Sequence, residues 1–503
     1  MAQSGSASLS ASTGKELKSK ETEQRVRAEL REGFLRCLSH SVGKEAEIVT
    51  VENTRVTGEI AAYHPSLDNL IVRHLKTPIG KMDCAVLRTS DIATIVGCFA
   101  KLLDAYMVDF FVEDKWKELP SGWRASLGQM SSEELARLLN YGDPAAEYKP
   151  TIATQKQPKI VPQMTLPSGV YQSLNRHLYR LRDRSNFDVV VDVGAGLGHL
   201  ARYLSFCNGS SLEVRTVESN GVLAATAKTL DKAVADKLQS ASVPAPQHSN
   251  QKFSRNLPID RDCCIVGLHS CGDLTPAILE EFVSNDHCKA LLSVGCCYMK
   301  LNGGKDRLDY EQWSDDGADS DGSPKKGFPM SDYLRAYNFT LSYTARELAC
   351  HSIEQFARRL REDSEALKVH CYRAALERLI LLVNNSQRKL GLGSVKCSNR
   401  LSFREYASAA LKKHPQLLTG CLQLLDSDDP SVKAEVEAML ARWPQVLAFY
   451  CLRLLLAPLV ETAILLDREL FLLESARCRD VSLKAHFDPG ISARNLVLTA
   501  TKL

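Results

Sequence analysis

The chain has 503 residues, room for two to four domains, and an ordinary globular composition with 44% hydrophobic and 24% charged residues. A net charge of +3 provides no global field to recruit nucleic acid, so any RNA binding must rest on local patches. Sixteen cysteines occur without zinc-finger or zinc-ribbon spacing, and the Ser-rich first 20 residues lack the apolar core of a signal peptide. The expectation is therefore no metal, and a soluble intracellular protein of the cytoplasm or nucleus.

In chain order, residues 1–21 read as a disordered tail. Thr22 to Leu38 is helical, with Val26, Leu30, Phe34 and Leu38 on one face. Five short β-like runs follow, at Ala46–Val51, Val56–Ala62, Leu70–Leu75, Cys84–Arg88 and Ile92–Val96, separated by turn residues such as Asn53, Pro65, Pro78 and Gly80. A helix and five strands within residues 22–97 predict a small Sm-like barrel. Residues 98–139 read as helical, from Cys98 to Val112 and from Glu133 to Leu139. The stretch 140–168, with Pro144, Pro150, Pro158, Pro162 and Pro167, reads as a linker.

The next segment carries the chemistry. In VVVDVGAGLGHLARYL, an apolar run ends in Asp192, Gly194, Gly196 and Gly198 alternate, and a helical pattern begins. This is a buried strand, a tight turn and a helix N-terminus, where glycine lets a ligand approach the backbone. A dinucleotide turn needs a small residue where His199 stands. The pattern suits S-adenosylmethionine (AdoMet) better. Asp192 would face its ammonium, the turn Gly194-Ala195-Gly196 with Gly198 would carry its aminoacyl portion, and Glu218, after the apolar run 212–217, would accept from its ribose hydroxyls. Further strands, Cys263–Leu268 and Ala290–Val294, lead into His269-Ser270-Cys271-Gly272-Asp273-Leu274 and Gly295-Cys296-Cys297-Tyr298. Alternating strands and helices over 169–300, with a last strand at 495–501, predict a doubly wound sheet whose loops at the strands' carboxyl ends border the site. There His269 is a candidate general base that also borders the cofactor. Asp273 could orient or deprotonate a nucleophile, or cap the next helix. Tyr298 could stack a base, or line the cofactor pocket. Cysteine and histidine recur together at His269 and Cys271, Cys296 and Cys297, Cys350 and His351, and His370 and Cys371.

Residues 301–330, with seven acids between Lys305 and Gly322, read as a solvated loop, and 331–494 as helical additions, including a helix from Ala345 to Leu360. Val446 to Leu466 is long enough to span a membrane, but it contains Arg453, Pro458 and Glu461 and reads as a buried helix with a polar seam.

Two resemblances sharpen this picture. EQRVRAELREGFLRCL, the Thr77-Pro78-Ile79-Gly80 turn and Leu87-Arg88 to Ile92 resemble the seventh Gemin, the Sm-like subunit of the SMN complex, over residues 22–97. That resemblance implies a Gemin-type partner bound by strand pairing. LLDAYMVDFF, GLHSCGDL, SVGCCYMKL, HCYRAALE, LLAPLVETAILLDREL and NLVLTATK make residues 98–503 similar to the methyltransferase-like protein 25B family, also described as ribosomal RNA adenine dimethylase domain-containing proteins. The His-Ser-Cys-Gly-Asp loop is similar to that of tRNA ribose methyltransferases of the thirteen type. Family members carry a Lys-Lys-x-His-Glu segment that residues 155–175 do not reproduce. The expected fold is α/β: a Rossmann-like class I AdoMet-dependent methyltransferase with large helical additions, preceded by an Sm-like β-barrel. The expected function is methyl transfer to RNA or a ribonucleoprotein. The alternative is an SMN-complex scaffold whose methyltransferase fold is inactive.

Overall fold

Three consecutive valines explain the centre of the molecule. In β5 (Val189–Val193) every residue is buried, because side chains alternate across the sheet and both faces are covered. Val190 packs in one core with Leu174, Leu178, Leu200 and Leu204, whereas Val189, Val191 and Val193 pack in a second with Ile278, Leu279, Phe282 and Leu472. Each such burial is worth roughly 1.5–3 kcal/mol.

The computed structural model describes residues 96–503 except 98, 140–167, 207–211, 239–243, 254–258, 305–326, 337–338, 363, 393–394, 396–400, 487–491 and 493, together with four strands between residues 45 and 88. The expected tail, the helix Thr22–Leu38, the strand Ile92–Val96 save Val96, which is helical, most of the Pro-rich linker and most of the acidic loop lie outside the described residues. The chain divides into two units, 1–98 and 99–503.

In the first unit, β1 (Glu45–Val49), β2 (Arg55–Tyr63), β3 (Asn69–Thr77) and β4 (Gly80–Arg88) form an antiparallel meander in the order β1-β2-β3-β4. Thr77 faces Gly80, so β4 starts four residues earlier than the apolar run suggests. Register shifts flank Gly58 and lie between Ile60 and Ala62 in β2, as expected where a bulge bends a strand.

The second unit opens with short helices, α1 (Ala100–Leu103), α2 (Lys115–Glu118), α3 (Ser121–Leu127) and α4 (Ser132–Leu139). The single helix expected from Cys98 to Val112 is not formed: Tyr106 is extended, and a 3-10 turn at Met107–Asp109 follows. The apolar run there buries Phe110 against Phe449 instead of continuing a helical face.

The sheet has seven strands in the order β10-β11-β9-β8-β5-β6-β7. β5, β6 (Glu213–Glu218), β7 (Gln247–Asn250), β8 (Cys263–Gly267) and β9 (Cys288–Val294) run parallel. β11 (Leu496–Lys502) is antiparallel to β9, and β10 (Cys478–Ala485) is antiparallel to β11. Helices α5 (Ser168–Ser185), α6 (His199–Phe206), α7 (Gly221–Leu238) and α8 (Leu274–Ser284) connect and cover it. The chain leaves β5 for β6 on one side and returns to β8 on the other, so the topological switch point lies at the carboxyl ends of β5 and β8.

Two expectations are corrected here. The C-terminal strand is formed, but it lies inside the sheet, and the edge beside it is β10, within the stretch 331–494 expected to be helical. The helix expected from Ala345 to Leu360 is two, α10 (Tyr343–Leu348) and α11 (Ile353–Arg361), after α9 (Asp332–Ala336). Ser352 accepts from the Gln355 N–H and starts the second, a cap that overrides a continuous apolar period.

The rest is helical: α12 (Val369–Val383), α13 (Phe403–Ala410), α14 (Pro415–Asp426), α15 (Pro430–Ala441), α16 (Trp443–Leu454) and α17 (Ala457–Glu474). Among the described residues, one stretch, Trp443–Glu474, is apolar and long enough to cross a membrane, and 56% of its apolar window is buried inside the protein. Its polar residues are satisfied or buried by the fold. Arg453 donates to the carbonyls of Leu102 and Leu103 at 2.9 and 3.0 Å. Asp467 accepts from the Met330 and Ser331 N–H groups at 2.7 and 2.9 Å.

Candidate active site

Four loops meet at the carboxyl ends of β5, β6, β8 and β9. The turn after β5 uses glycine at three left-handed positions, with φ of 72° at Gly194, 57° at Gly196 and 70° at Gly198. Two of these also face close neighbours. A Cβ on Gly194 would meet Leu274 at 3.0 Å, with the His269 carbonyl at 3.7 Å, so the turns after β5 and β8 are adjacent. A Cβ on Gly198 would meet the His248 ring at 3.0 Å. Gly196 differs: nothing lies within 4 Å of an added Cβ, so its backbone faces open space.

Glu218 fastens this turn. Its carboxylate accepts from the Gly196 N–H and the Asn220 N–H, both at 2.8 Å. The Gly194 N–H donates to the Val217 carbonyl at 2.8 Å. Asp192 is 2% exposed. Burial, and then the Glu218 charge, push its pKa up to about 7.

Behind the turn lies a polar network that sequence patterns do not announce. Arg202 donates to Asp231 at 2.7 Å and to the Leu197 carbonyl, inside the turn, at 2.9 Å. His248 joins the other Asp231 oxygen at 2.6 Å and Thr216 Oγ1 at 2.8 Å. Asp231 and Arg202 are buried. A buried ion pair of this kind is strongly destabilised when one partner is removed. His199 was also missed, except as a residue too bulky for a dinucleotide turn. It opens α6, and both of its ring nitrogens are buried without a hydrogen-bond partner; desolvation and Arg202 lower its pKa.

The three residues expected to do chemistry fall in different places. His269 is exposed at the end of β8, with its pKa lowered by partial desolvation. Asp273 is bound to backbone: it accepts from the Asn302 and Gly303 N–H groups at 2.8 and 2.7 Å. Its side chain makes no cap bond to α8, so it pins the loop after β9 rather than facing open space. Tyr298 is fully buried. It donates to Glu461 at 2.7 Å and lies beneath the guanidinium groups of Arg468 and Arg494. Burial raises its pKa well above the usual value. It cannot stack a substrate base from there. Gly295 has no room for a Cβ, which would collide with the Tyr298 hydroxyl.

The cysteine recurrence partly converges. The described cysteines are free thiols. Cys271 Sγ lies 3.6 Å from Cys296 Sγ, which lies 3.5 Å from Cys297 Sγ. Hydrogen bonds from the neighbouring thiols lower the Cys271 pKa to about 6, while Cys296 and Cys297 are raised. Cys350 contacts Met299 Sδ at 3.5 Å. His370 stacks on Tyr450 with centroids 3.9 Å apart, and Cys371 donates to the Met439 carbonyl, so that pair belongs to the helical core.

Residues 22–96 match the family model of Gem-associated protein 7, and residues 168–304 match that of a methyltransferase domain. The chain is 34% identical over 254 residues to "Probable methyltransferase-like protein 25" of Mus musculus, covering 48% of this chain and 38% of that protein. It is 43% identical over 70 residues to Gem-associated protein 7 of Homo sapiens, covering 14% of this chain and 53% of that protein. The chain thus spans well under two thirds of either relative. Among solved structures, a putative sarcosine dimethylglycine methyltransferase from Galdieria sulphuraria is 11% identical, with 67% of this chain and 84% of that chain covered, at a TM-score of 0.21. The chain therefore carries, in order, a segment similar to Gem-associated protein 7 and a Rossmann-like α/β domain of the methyltransferase type.

Proposed function

We propose that the second unit binds AdoMet and transfers its methyl group to RNA or a ribonucleoprotein, and that the first is an Sm-like module delivering it to a Gemin-type partner. The observation that carries the cofactor assignment is the Gly196 position. It has a left-handed backbone with open space outside it, beside a buried acid and a turn fastened by Glu218. An aminoacyl group lying on that turn meets backbone alone, and the nearby Asp192 carboxylate supplies the charge for its ammonium. Glu218 holds the turn through two N–H groups and keeps lone pairs for ribose hydroxyls. Ala195 lies within the same turn, and His269 borders it. When bound, AdoMet supplies an electrophilic methyl group on its sulfonium. The chain's part is to orient the methyl group, exclude water and take the acceptor's proton, a role this reading gives to His269.

Calorimetric titration of AdoMet into the full chain tests this. Gly196→Val should abolish binding while the fold persists. Unchanged affinity in both Gly196→Val and Asp192→Ala would remove the cofactor assignment. A second reading, a scaffold that keeps the cofactor but transfers nothing, is favoured by the engagement of Asp273 and Tyr298 inside the protein and by the divergent 155–175 segment. Methyl transfer from labelled AdoMet to total cellular RNA or ribonucleoprotein decides between the two.

For the first unit, β1 and β4 each pair on one side among the described residues, which leaves edges suited to strand addition. A proline at an outward N–H of either edge should abolish co-purification with a Gemin-type partner. A complex that survives a proline scan of both edges would argue against strand pairing.

A further inference from the structure

We propose that Cys271, Cys296 and Cys297 form a three-thiolate site for a soft divalent cation of the zinc class, with the fourth position open to an exogenous ligand. The three Sγ atoms lie within 4.8 Å of one another, and two of the separations are 3.6 and 3.5 Å. Tetrahedral zinc holds thiolates at about 2.3 Å, which places their sulfurs about 3.8 Å apart. Two of the separations are thus already close to that spacing, and the third lies within 4.8 Å.

They come from two loops that are held together independently of any metal. A Cβ on Gly272 would meet the Lys300 carbonyl at 2.6 Å, and Asp273 grips the 302–303 backbone. All three thiols are partly exposed, so a cation can reach them.

A second observation points the same way. Arg468 is 1% exposed, and its Nε and Nη2 have no hydrogen-bond partner. Tyr298, Asp467 and Asp273 act on it before Cys296 does, and Arg494 is paired with Glu461 at 3.0 Å. A buried guanidinium short of hydrogen-bond partners is costly. Three thiolates around a divalent cation carry a net charge of −1, which the cationic side chains of Arg468, Arg494 and Lys300 nearby favour.

Three protein ligands leave one tetrahedral position, the pattern of reactive rather than structural zinc sites. It opens at the carboxyl ends of β8 and β9, where soft donors such as a thiol or an imidazole would complete the shell. The site lies beside the cofactor turn but does not depend on its assignment.

The test uses the full chain purified under reductant, incubated with zinc and passed through a desalting column. About one zinc per chain should remain, and C271S/C296S should lower that occupancy at least tenfold, whereas C478S, a thiol on the edge strand, should not. Cobalt(II) should give a thiolate-to-metal charge-transfer band in the near ultraviolet, absent from the double variant. If the double variant fails to fold, the wild-type chain suffices: chelation should expose these thiols to a thiol reagent and zinc should protect them again. Zinc that washes off the wild-type chain, equal retention by a folded double variant, or cobalt without a charge-transfer band would overturn the site.

Discussion

Asp192 is a buried carboxyl whose proton is held by desolvation. Its folded pKa, about 7, lies above the unfolded value of about 3.9. Any stability it contributes is therefore full below the unfolded pKa and is lost as pH rises through 7. Binding a cationic ligand has the opposite requirement, since the carboxylate must be ionised. AdoMet affinity should then fall about tenfold for each pH unit below 7, and D192N should flatten that dependence. In the ligand-free chain, D192N should also melt higher than wild type at pH 8. A wild-type affinity independent of pH between 5.5 and 7.5 would mean that Asp192 does not face the ligand. Gly295 makes a steric prediction. Gly295→Ala should cost about 1–3 kcal/mol in urea unfolding by overpacking, and Tyr298→Phe, which removes the colliding oxygen, should recover part of it. Additive losses in the double mutant would contradict the geometry.

At the scale of elements, the network under the turn joins α6, α7, β6 and β7 through Arg202, Asp231, His248 and Thr216. Asp231→Ala leaves a buried guanidinium without its carboxylate and should cost about 3–5 kcal/mol in chemical unfolding. Arg202→Met keeps bulk but leaves the buried Asp231 with His248 alone and frees the Leu197 carbonyl, so it should lower both stability and AdoMet affinity; an unchanged affinity of the folded variant would show that the turn holds itself. The sequence announces some of these elements and hides others for physical reasons. The turn at 194–198 is legible because its glycines answer a local backbone requirement. Asp192 and Glu218 are legible because each ends an apolar run. The network is not: its members lie up to 46 positions apart, and an isolated Arg or Asp in a helix reads as a solvated face. β7, Gln247-His248-Ser249-Asn250, has no apolar signal, since it is a half-exposed edge. β10 is interrupted by Asp480 at φ 50° and a register shift. Asp273 and Tyr298 follow β8 and β9 in the chain, but where their side chains point depends on Asn302 and Glu461, far along the chain.

At the scale of the whole molecule, the methyltransferase-type unit is bound together by a late segment. β11 lies between β9 and β10, and Val497, Leu498 and Ala500 are buried on both faces of the sheet. Its two neighbours have no pairing with each other. This has a consequence for biosynthesis. On the ribosome the parallel strands β5 to β9 emerge first, with one side of β9 unpaired, and they must wait through about 200 further residues before their partner is made. An apolar strand edge exposed for that time is open to pairing with other nascent chains. Nascent polypeptides of this protein should therefore lean on chaperones until residue 502 has cleared the exit tunnel. A chain stopped at residue 495 should be recovered in aggregates even though it contains every residue of the cofactor turn, and a soluble truncation with a cooperative melt would refute this order of events.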